Sequence, residues 1–269
     1  MPSAYTSKEV RELAKKAIDF IEQDDESEFF QITEQLLLSK SPFRLLYIYG
    51  TEIGRQGLKE PEKYLQILDE LFKKSVNYGC DQEQFKSNPK FWTEDNIRAM
   101  VLGARMAIIT TCLAMIGEKY PKKVIPIIKR YLIDGDGWYI CDGMSIALGR
   151  ILNAHFETTL PVVKTWVKAE NHWLRRASVV SLLELMRNRS PQLHEAMVVF
   201  DLLMKDTDWY VKKGVSWMLR ELSKKNRKEM IGLVNKWLKE KDRNTRLIIK
   251  NGIKKLTLNE QKEILRGYD

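Results

Sequence analysis

The sequence predicts an all-α protein, a HEAT-like helical-repeat solenoid (an α-α superhelix), and two observations carry that prediction. Almost every segment places its apolar residues at helical spacing, and no stretch alternates with period two between turn signals. In addition, four segments of the C-terminal half begin alike, at spacings of 35, 36 and 35 residues. A period of this length with two helices per unit is typical of stacked helical repeats.

The sequence of the N-terminal half predicts helices that do not form a regular repeat. Thr6 or Ser7 can cap the first helix, and prolines open three of the later ones, a position where proline is tolerated. The predicted helices cover residues 7–22, 26–39, 42 onward, 61–78, 95–118 and 121–133. The polar segment 79–94 contains Gly79 and Pro89. It is predicted to be a loop, either a connector or a functional insertion.

The repeat begins at residue 136. Each of its four units starts with one of the pairs Trp138-Tyr139, Trp173-Leu174, Trp209-Tyr210 and Asn244-Thr245. The residues predicted to cap these helices are Asp136, Asn171, Asp206 or Asp208, and Asp242. The second helices of the units are predicted at 157–168, 191–204, 226–238 and 258–266. We therefore expect a single helical-repeat domain over 1–269, clearest in 136–269 and less regular in 7–133.

Stacking explains how such units become stable. One helix pair cannot bury its apolar stripe alone, so neighbouring pairs cover each other. The first helices of successive units then lie side by side, and their equivalent positions form a row along a concave surface. For the indoles of Trp173 and Trp209, packing in the core is the favoured interpretation.

The charge balance favours an anionic partner. The 269 residues carry 45 Lys and Arg against 36 Asp and Glu, a net charge of +9 with a pI near 9.3. Residues 201–269 hold 18 basic against 10 acidic side chains, whereas residues 1–40 hold 5 against 9. Nucleic acid is the commonest partner of such a basic region, although many basic surfaces serve only solubility.

Several classes of protein are disfavoured. The three cysteines form no CxxC pair and the three histidines no HExxH motif, so neither a disulfide framework, a metal site nor a cofactor is expected. These residues are Cys80, Cys112, Cys141, His155, His172 and His194. No signal core or membrane-spanning stretch is apparent. We expect a monomer in the cytoplasm, associated with the nucleoid if the source is prokaryotic.

Four residues stand out on the predicted row. Counted from the leading aromatic of each unit, Asp142 lies at +4, Arg176 at +3 and Trp217 at +8. With Trp138 at zero they fall within about 140° of one helix face, at 100° per residue. Lys213 shares the position of Asp142. Taken singly, Asp142 is better explained as a solvated helix residue, and Arg176 is equally well explained as its structural ion-pair partner between repeats.

These residues carry a resemblance to a known family. Its motifs are Trp138-x-x-x-Asp142, Trp173-Leu174-x-Arg176 and Lys213-Gly214-x-x-Trp217-x-Leu219-Arg220-Glu221. Over about residues 95–240 the chain resembles the AlkD family of DNA alkylation-repair glycosylases, HEAT-like-repeat enzymes that remove alkylated purines. The resemblance implies that Asp142 is the catalytic carboxylate. It also implies that Trp138 and Trp217 line the sugar of the lesion and that Arg176 contacts the DNA beside them.

The chain departs from the family pattern at Gly137 and Tyr139, where the family often has an aromatic and an acidic residue. The departure leaves the range of substrates open. The resemblance further implies that the protein binds the DNA backbone. It also implies that the lesion is reached without a closed pocket for a flipped base.

The implied chemistry suits these residue types. An N3- or N7-alkylated purine is cationic, so the departing base needs little acid catalysis, and the developing oxocarbenium-like sugar needs a carboxylate. The expected partner is double-stranded DNA carrying alkylated purines. Phosphate contacts are expected from the basic residues Arg175, Arg176, Lys212, Lys213, Arg243 and Arg246. Two other functions remain open: a non-catalytic HEAT-like DNA-binding protein, and a protein–protein scaffold.

Overall fold

The computed structural model describes residues 5–39, 41–76, 94–188, 190–240 and 242–266. For residues 75–76, 94–102 and 104 it describes the backbone only. Every regular element within these ranges is a helix, as predicted. The predicted loop 79–94 lies outside them except for its last residue. The chain divides into two compact units, Met1–Gly143 and Met144–Asp269. The expectation of a single domain stays a prediction.

Unit 1 has helical bounds close to those predicted. Its helices are α1 (Ser7–Glu22), α2 (Glu26–Leu37), α3 (Phe43–Gly57), α4 (Pro61–Val76), α5 (Glu94–Lys119), α6 (Pro121–Asp134) and the first residues of α7 (Trp138–Ala154). Thr6 caps α1 in a capping box with Glu9, because each side chain accepts a backbone N–H of the other. Pro42 is the N-cap of α3 rather than part of its first turn.

The core of unit 1 forms where α3 lies against α5. Gly50 permits this approach, because an added Cβ would stand 2.9 Å from the carbonyl oxygen of Ile108. Cys112 donates its thiol to the Gly50 carbonyl at 3.1 Å, and burial raises the pKa of that thiol. The buried hydroxyls of Thr33 and Tyr49 satisfy each other at 2.9 Å. The two helices are therefore packed at backbone distance, with their polar groups paired.

Unit 2 contains the repeats. It holds the rest of α7 and α8 (Phe156–Trp166), α9 (His172–Val180), α10 (Leu183–Arg187), α11 (Leu193–Ala196), α12 (Val198–Leu203), α13 (Trp209–Lys225), α14 (Arg227–Trp237), α15 (Arg243–Gly252) and α16 (Leu258–Arg266). The predicted helix 191–204 is divided into α11 and α12. The first helix of the second repeat likewise ends at Val180 and resumes as α10.

The predicted stacking of first helices is confirmed within unit 2. Helix α9 packs against α13, and α13 packs against α15. Side chains of α13 bond directly to the backbone of α15: Ser216 Oγ donates to the Ile248 carbonyl at 3.1 Å, and Arg220 Nη1 donates to the Asn251 carbonyl at 3.0 Å. Each repeat therefore satisfies polar groups of the next one as well as covering its apolar stripe.

The backbone bonds that open the first helices define one common register. The first bond of each helix is accepted by the cap carbonyl, and the four bonds measure 3.0–3.3 Å: Cys141 N to Gly137 O, Arg175 N to Asn171 O, Lys212 N to Asp208 O, and Arg246 N to Asp242 O. We number each helix from the residue whose carbonyl accepts this bond, which is position zero, and call this numbering the cap register. Gly137 takes the place predicted for Asp136, and Asp208 rather than Asp206 caps α13.

The cap register corrects the predicted alignment of the leading aromatics. Trp138 and Trp209 are first after the cap, whereas Trp173 is second and is equivalent to Tyr210. The two positions face differently: Trp173 is 3% exposed, but Trp209 is 50% exposed. The expected core packing is therefore confirmed for Trp173 and wrong for Trp209. A shift of one residue turns a helix face by about 100°, which moves an indole from core to solvent.

Candidate active site and nucleic-acid interface

In the cap register, Asp142, Arg176 and Lys213 occupy one position, the fifth residue after the cap. Trp138 is the first residue of its helix and Trp217 the ninth of its own. Positions one, five and nine fall within about 80° of one helix face. This arc is narrower than the one obtained by counting from the aromatics, and it describes where each residue lies on its own helix.

In unit 1, Trp138 and Asp142 share the opening turns of α7. Trp138 is 47% exposed, and Asp142, four residues later on the same face, is partly exposed. The indole meets the ring of Tyr139 edge-on, with 6.1 Å between centroids. An exposed indole next to a carboxylate on one helix face can contact a cationic or electron-poor ligand.

The two departures from the family pattern form one local arrangement. Gly137 has a φ of +147°, in the region that favours glycine, and an added Cβ would lie 2.6 Å from the ring of Tyr139. Tyr139 folds back and donates its hydroxyl to the Asp136 carbonyl at 3.3 Å. The ring of Tyr139 thus occupies the space that a side chain at 137 would need. The glycine and the tyrosine are therefore coupled, and together they set the start of α7.

In unit 2, Arg176 is held tightly between α9 and α13. It is 5% exposed, and Nη1 donates to the Tyr210 carbonyl at 2.6 Å. Its side chain passes over Gly214, where an added Cβ would stand 3.1 Å from Arg176 Cγ and 3.3 Å from Nη1. The glycine of the motif therefore provides the space in which the guanidinium lies.

Arg175 is committed to partners within the protein. Its Nε pairs with Asp206 at 2.7 Å, and Nη1 donates to the carbonyls of Ala169 and Glu170 at 2.8 and 2.7 Å. These bonds join the segment before α9 to the segment before α13. The predicted phosphate contact of Arg175 stays a prediction, and DNA would have to compete with these bonds.

Trp217 is partly exposed, and its indole is anchored to its own helix. Nε1 donates to Glu221 Oε1 at 3.3 Å, and the same carboxylate accepts Lys224 Nζ at 2.7 Å. The bond fixes the edge of the ring on its own helix, and the residue remains partly exposed. Glu221, which belongs to the motif of the resemblance, is thus a positioning partner of Trp217 that sequence reasoning did not single out.

The candidate phosphate ligands differ in how they are held. Lys212 Nζ donates to Asn244 Oδ1 at 2.9 Å, and exposed Lys213 places its Nζ 5.2 Å from the centroid of the Trp209 ring. Arg243, the first residue of α15, and Arg246 are exposed. Lys212 and Lys213 come together in one cavity, which includes residues that the sequence analysis missed.

This cavity lies along α13 and α15, within unit 2. It has a volume of about 270 Å³ and is lined by Trp209, Lys212, Lys213, Ser216, Arg220, Leu247, Asn251 and Lys254. Four of these side chains are cationic, and the lining contains no carboxylate. Desolvation lowers the pKa of Arg220. The i, i+4 spacing of residues 209 and 213, and of 212, 216 and 220, was the sequence signal that would have found most of this wall.

Other classes of site are not seen in the described part of the chain. No group of three or more His, Cys, Asp and Glu there is arranged to hold a metal ion. None of the described helices combines the length and the apolar character needed to cross a bilayer. Cys112 and Cys141 are buried, and neither belongs to a disulfide within the described residues.

Comparison with known proteins gives one family. A family model described as DNA alkylation repair enzyme matches residues 90–256, more than half of the chain. No curated protein matches the sequence. Among solved structures, alkylpurine DNA glycosylase AlkC from Pseudomonas fluorescens, bound to DNA containing an abasic site analog, is 18% identical with a TM-score of 0.50, covering 82% of this chain and 60% of that one. AlkD2 from Streptococcus mutans is 18% identical with a TM-score of 0.47, covering 75% and 98%. At 18% identity the AlkC likeness is one of fold.

Proposed function

Because the chain belongs to the family of DNA alkylation repair enzymes, we propose that it is a DNA glycosylase of base-excision repair. Its substrates are cationic purines, alkylated at N3 or N7 of adenine or guanine, in duplex DNA. The observation that carries the proposal is the pair formed by exposed Trp138 and Asp142 on one face of α7, inside the matched range.

The proposed reaction needs a carboxylate more than it needs an acid. The alkylated base leaves with the electron pair of the glycosidic bond, which neutralises its positive charge. The sugar left behind resembles an oxocarbenium ion, and the Asp142 carboxylate stabilises it and orients the water that attacks C1′. The water loses a proton to the solvent as the new C–O bond forms, which leaves the sugar product neutral at C1′. The products are a free base and an abasic site.

In this proposal the indoles of Trp138 and Trp217 contribute attraction to the positive sugar, of order ~0.5–2 kcal/mol each. Both rings are at least partly exposed, and Trp217 is oriented by Glu221. Arg176 contacts the DNA beside them through the small part of the residue, 5%, that is exposed. Its bond to the Tyr210 carbonyl holds the guanidinium in advance, so that little ordering is required on binding.

The proposed phosphate contacts come from Arg175, Lys212, Lys213, Arg243 and Arg246. Exposure supports this role for Lys213, Arg243 and Arg246. Such contacts position the duplex without reading its sequence.

A non-catalytic DNA-binding protein is the second candidate. It is favoured by the coupled departure at Gly137 and Tyr139, because these residues flank Trp138 and shape the start of α7. That function predicts salt-dependent binding to duplex DNA without release of any base. A protein scaffold predicts no affinity for DNA at moderate salt.

The test is release of free base from duplex DNA carrying 7-methylguanine. We expect the wild-type protein to release the base and Asp142→Asn to lose at least a hundredfold in rate while it keeps its binding of DNA, because preorganised charge stabilisation of this kind contributes about 10²–10³ in rate. The matched control is Asp134→Asn, which removes an exposed carboxylate from the end of α6. Equal release by wild type and Asp142→Asn would overturn the assignment of Asp142. Binding without release by either protein would favour the non-catalytic candidate.

A further inference from the structure

The cavity along α13 and α15 contains none of the residues given a role in base release, and it shares Lys212 and Lys213 with the proposed phosphate contacts. Asp142, Trp138, Arg176 and Trp217 are absent from its lining. We call it the α13–α15 cavity. Its composition is unusual, since four cations and one large indole share a small space and no acid accompanies them.

The cations of the α13–α15 cavity are available to bind an anion. Within the described chain, Lys213 and Lys254 form no ion pair, and Lys212 bonds only to a neutral amide, Asn244 Oδ1. Arg220 donates to the Asn251 carbonyl, which fixes its guanidinium at the wall. Clustered positive charges repel each other and lower the stability of the folded protein. An anion that binds among them relieves this repulsion, because the protein itself places no carboxylate in the lining.

The indole of Trp209 adds a second recognition element. It is the first residue of α13 and is half exposed, so part of the ring is accessible to a ligand. The ammonium of Lys213 lies 5.2 Å from its ring centroid, so a positive charge stands next to the stacking surface. Aromatic faces interleaved with cations are the arrangement by which proteins hold unpaired nucleotides.

The volume limits the ligand. At about 270 Å³ the cavity is slightly smaller than the roughly 300–1,000 Å³ of drug-sized pockets. It suits one nucleotide and is too small for a base pair. Asn251 donates its Nδ2 to the Leu247 carbonyl at 3.0 Å, and its Oδ1 meets no donor among the described residues. That oxygen can accept an N–H from the edge of a base.

We propose that the α13–α15 cavity binds one unpaired nucleotide, with the base against Trp209 and the phosphate among Lys212, Lys213 and Lys254. The nucleotide comes from a DNA strand, where a base displaced from the duplex supplies it, or from the free mononucleotide pool. The proposal rests on the proposed function only in taking DNA as the first of these sources. It requires no base release.

The test compares duplexes without any alkylated base. Three labelled duplexes of equal length are used: one fully paired, one with a single unpaired thymidine, and one with a single unpaired abasic residue. We expect the wild-type protein to prefer the unpaired thymidine by about tenfold over both others, because stacking on an aromatic ring contributes roughly 1–3 kcal/mol per base. Fluorescence anisotropy reports the dissociation constants.

Variants assign the preference to the cavity. Trp209→Leu should remove the preference and leave binding of the paired duplex unchanged, whereas Trp209→Phe should keep most of it. Lys254→Gln should weaken binding of the two duplexes that carry an unpaired residue, because each presents a phosphate to the cavity, and reduce the slope of log K against log salt for these two by about 1. The matched control is Lys228→Gln, an exposed lysine of α14 outside the cavity.

A second experiment distinguishes a nucleotide of a DNA strand from a free mononucleotide as the ligand. Thymidine monophosphate is titrated into the wild-type protein and into Trp209→Leu, with quenching of indole emission as the readout. Quenching by the wild type alone, without a preference for the unpaired duplex, would identify a free nucleotide as the ligand. The proposal is overturned by a preference that survives in Trp209→Leu, or by the absence of both preference and quenching. Loss of the glycosylase function would change neither readout, so the two proposals fail separately.

Discussion

At the residue scale, one glycine determines how Arg176 is held. The guanidinium lies at the first turns of α13 because position 214 has no side chain, and Arg176 Cγ and Nη1 occupy the space above it. The bond to the Tyr210 carbonyl then fixes the side chain in that place. Arg176 and Gly214 therefore act as a pair, although they lie 38 positions apart in the sequence.

Gly214→Ala should displace Arg176 without unfolding the protein. The new Cβ would lie 3.1 Å from Arg176 Cγ, so the side chain must shift by a few tenths of an ångström. Because misplacement of a positioned group lowers catalytic rate steeply, we expect roughly tenfold slower base release under single-turnover conditions.

The control for that experiment is Gly232→Ala, since an added Cβ there meets no atom within 4 Å. It should leave the rate unchanged and stabilise α14 by about 0.5–1 kcal/mol. A Gly214→Ala protein that releases base at the wild-type rate would show that the placement of Arg176 does not matter for the reaction.

At the element scale, the start of each first helix depends on its cap. Helices α9, α13 and α15 begin with an Asn or Asp side chain that accepts backbone N–H bonds. Asp242 caps α15 through Thr245 N at 2.7 Å, and this bond lowers the pKa of the Asp242 carboxyl. The same helix supplies Leu247 and Asn251 to the α13–α15 cavity. The cap therefore supports a wall of the cavity.

Replacing that cap tests its contribution. Asp242→Ala should lower the free energy of unfolding by about 0.5–2 kcal/mol. Asp242→Asn keeps an acceptor but loses the charge. Because the folded pKa of Asp242 is below its unfolded value, the charge contributes stability above the unfolded pKa, and that contribution is lost as pH falls through the folded pKa.

Denaturant unfolding at several pH values measures both effects. The stability difference between wild type and Asp242→Asn should shrink toward acid pH. A difference that stays constant between neutral and acid pH would exclude a role for the carboxylate charge.

At the scale of the whole molecule, charge makes binding of DNA sensitive to salt. The chain carries a net charge of +9, concentrated toward its C-terminal end. If Arg243 contacts a phosphate, Arg243→Gln should reduce the slope of log K against log salt by about 1 and weaken binding to all sequences equally.

Lys228→Gln is again the control, and the measurement is anisotropy over a series of salt concentrations. A slope that is the same for wild type and Arg243→Gln would remove Arg243 from the interface. The predicted concave DNA-binding surface, the monomeric state and the location in the cell also belong to this scale, and they stay predictions.

The helices and the family could be predicted because their signals lie in short segments of the sequence. The helices of both units were predicted because a period of 3.6 residues, capping side chains and prolines act within a few residues of one another. The family could be identified from the motifs between Trp138 and Glu221, and the family match over residues 90–256 confirms it. These signals lie along the chain and need no knowledge of which helices meet.

Tertiary structure decided three features that the sequence left open or predicted wrongly. It exposed Trp209, since the face that a helix buries depends on its neighbours and on the residue at which its first bond closes. It buried Arg176 against a glycine of the next repeat. It also assembled the α13–α15 cavity from residues as far apart as Trp209 and Lys254. Periodicity and capping are properties of short segments, so the sequence by itself determined the helices, the repeat and the family. Burial and side-chain placement depend on contacts between distant segments, and only packing could set them.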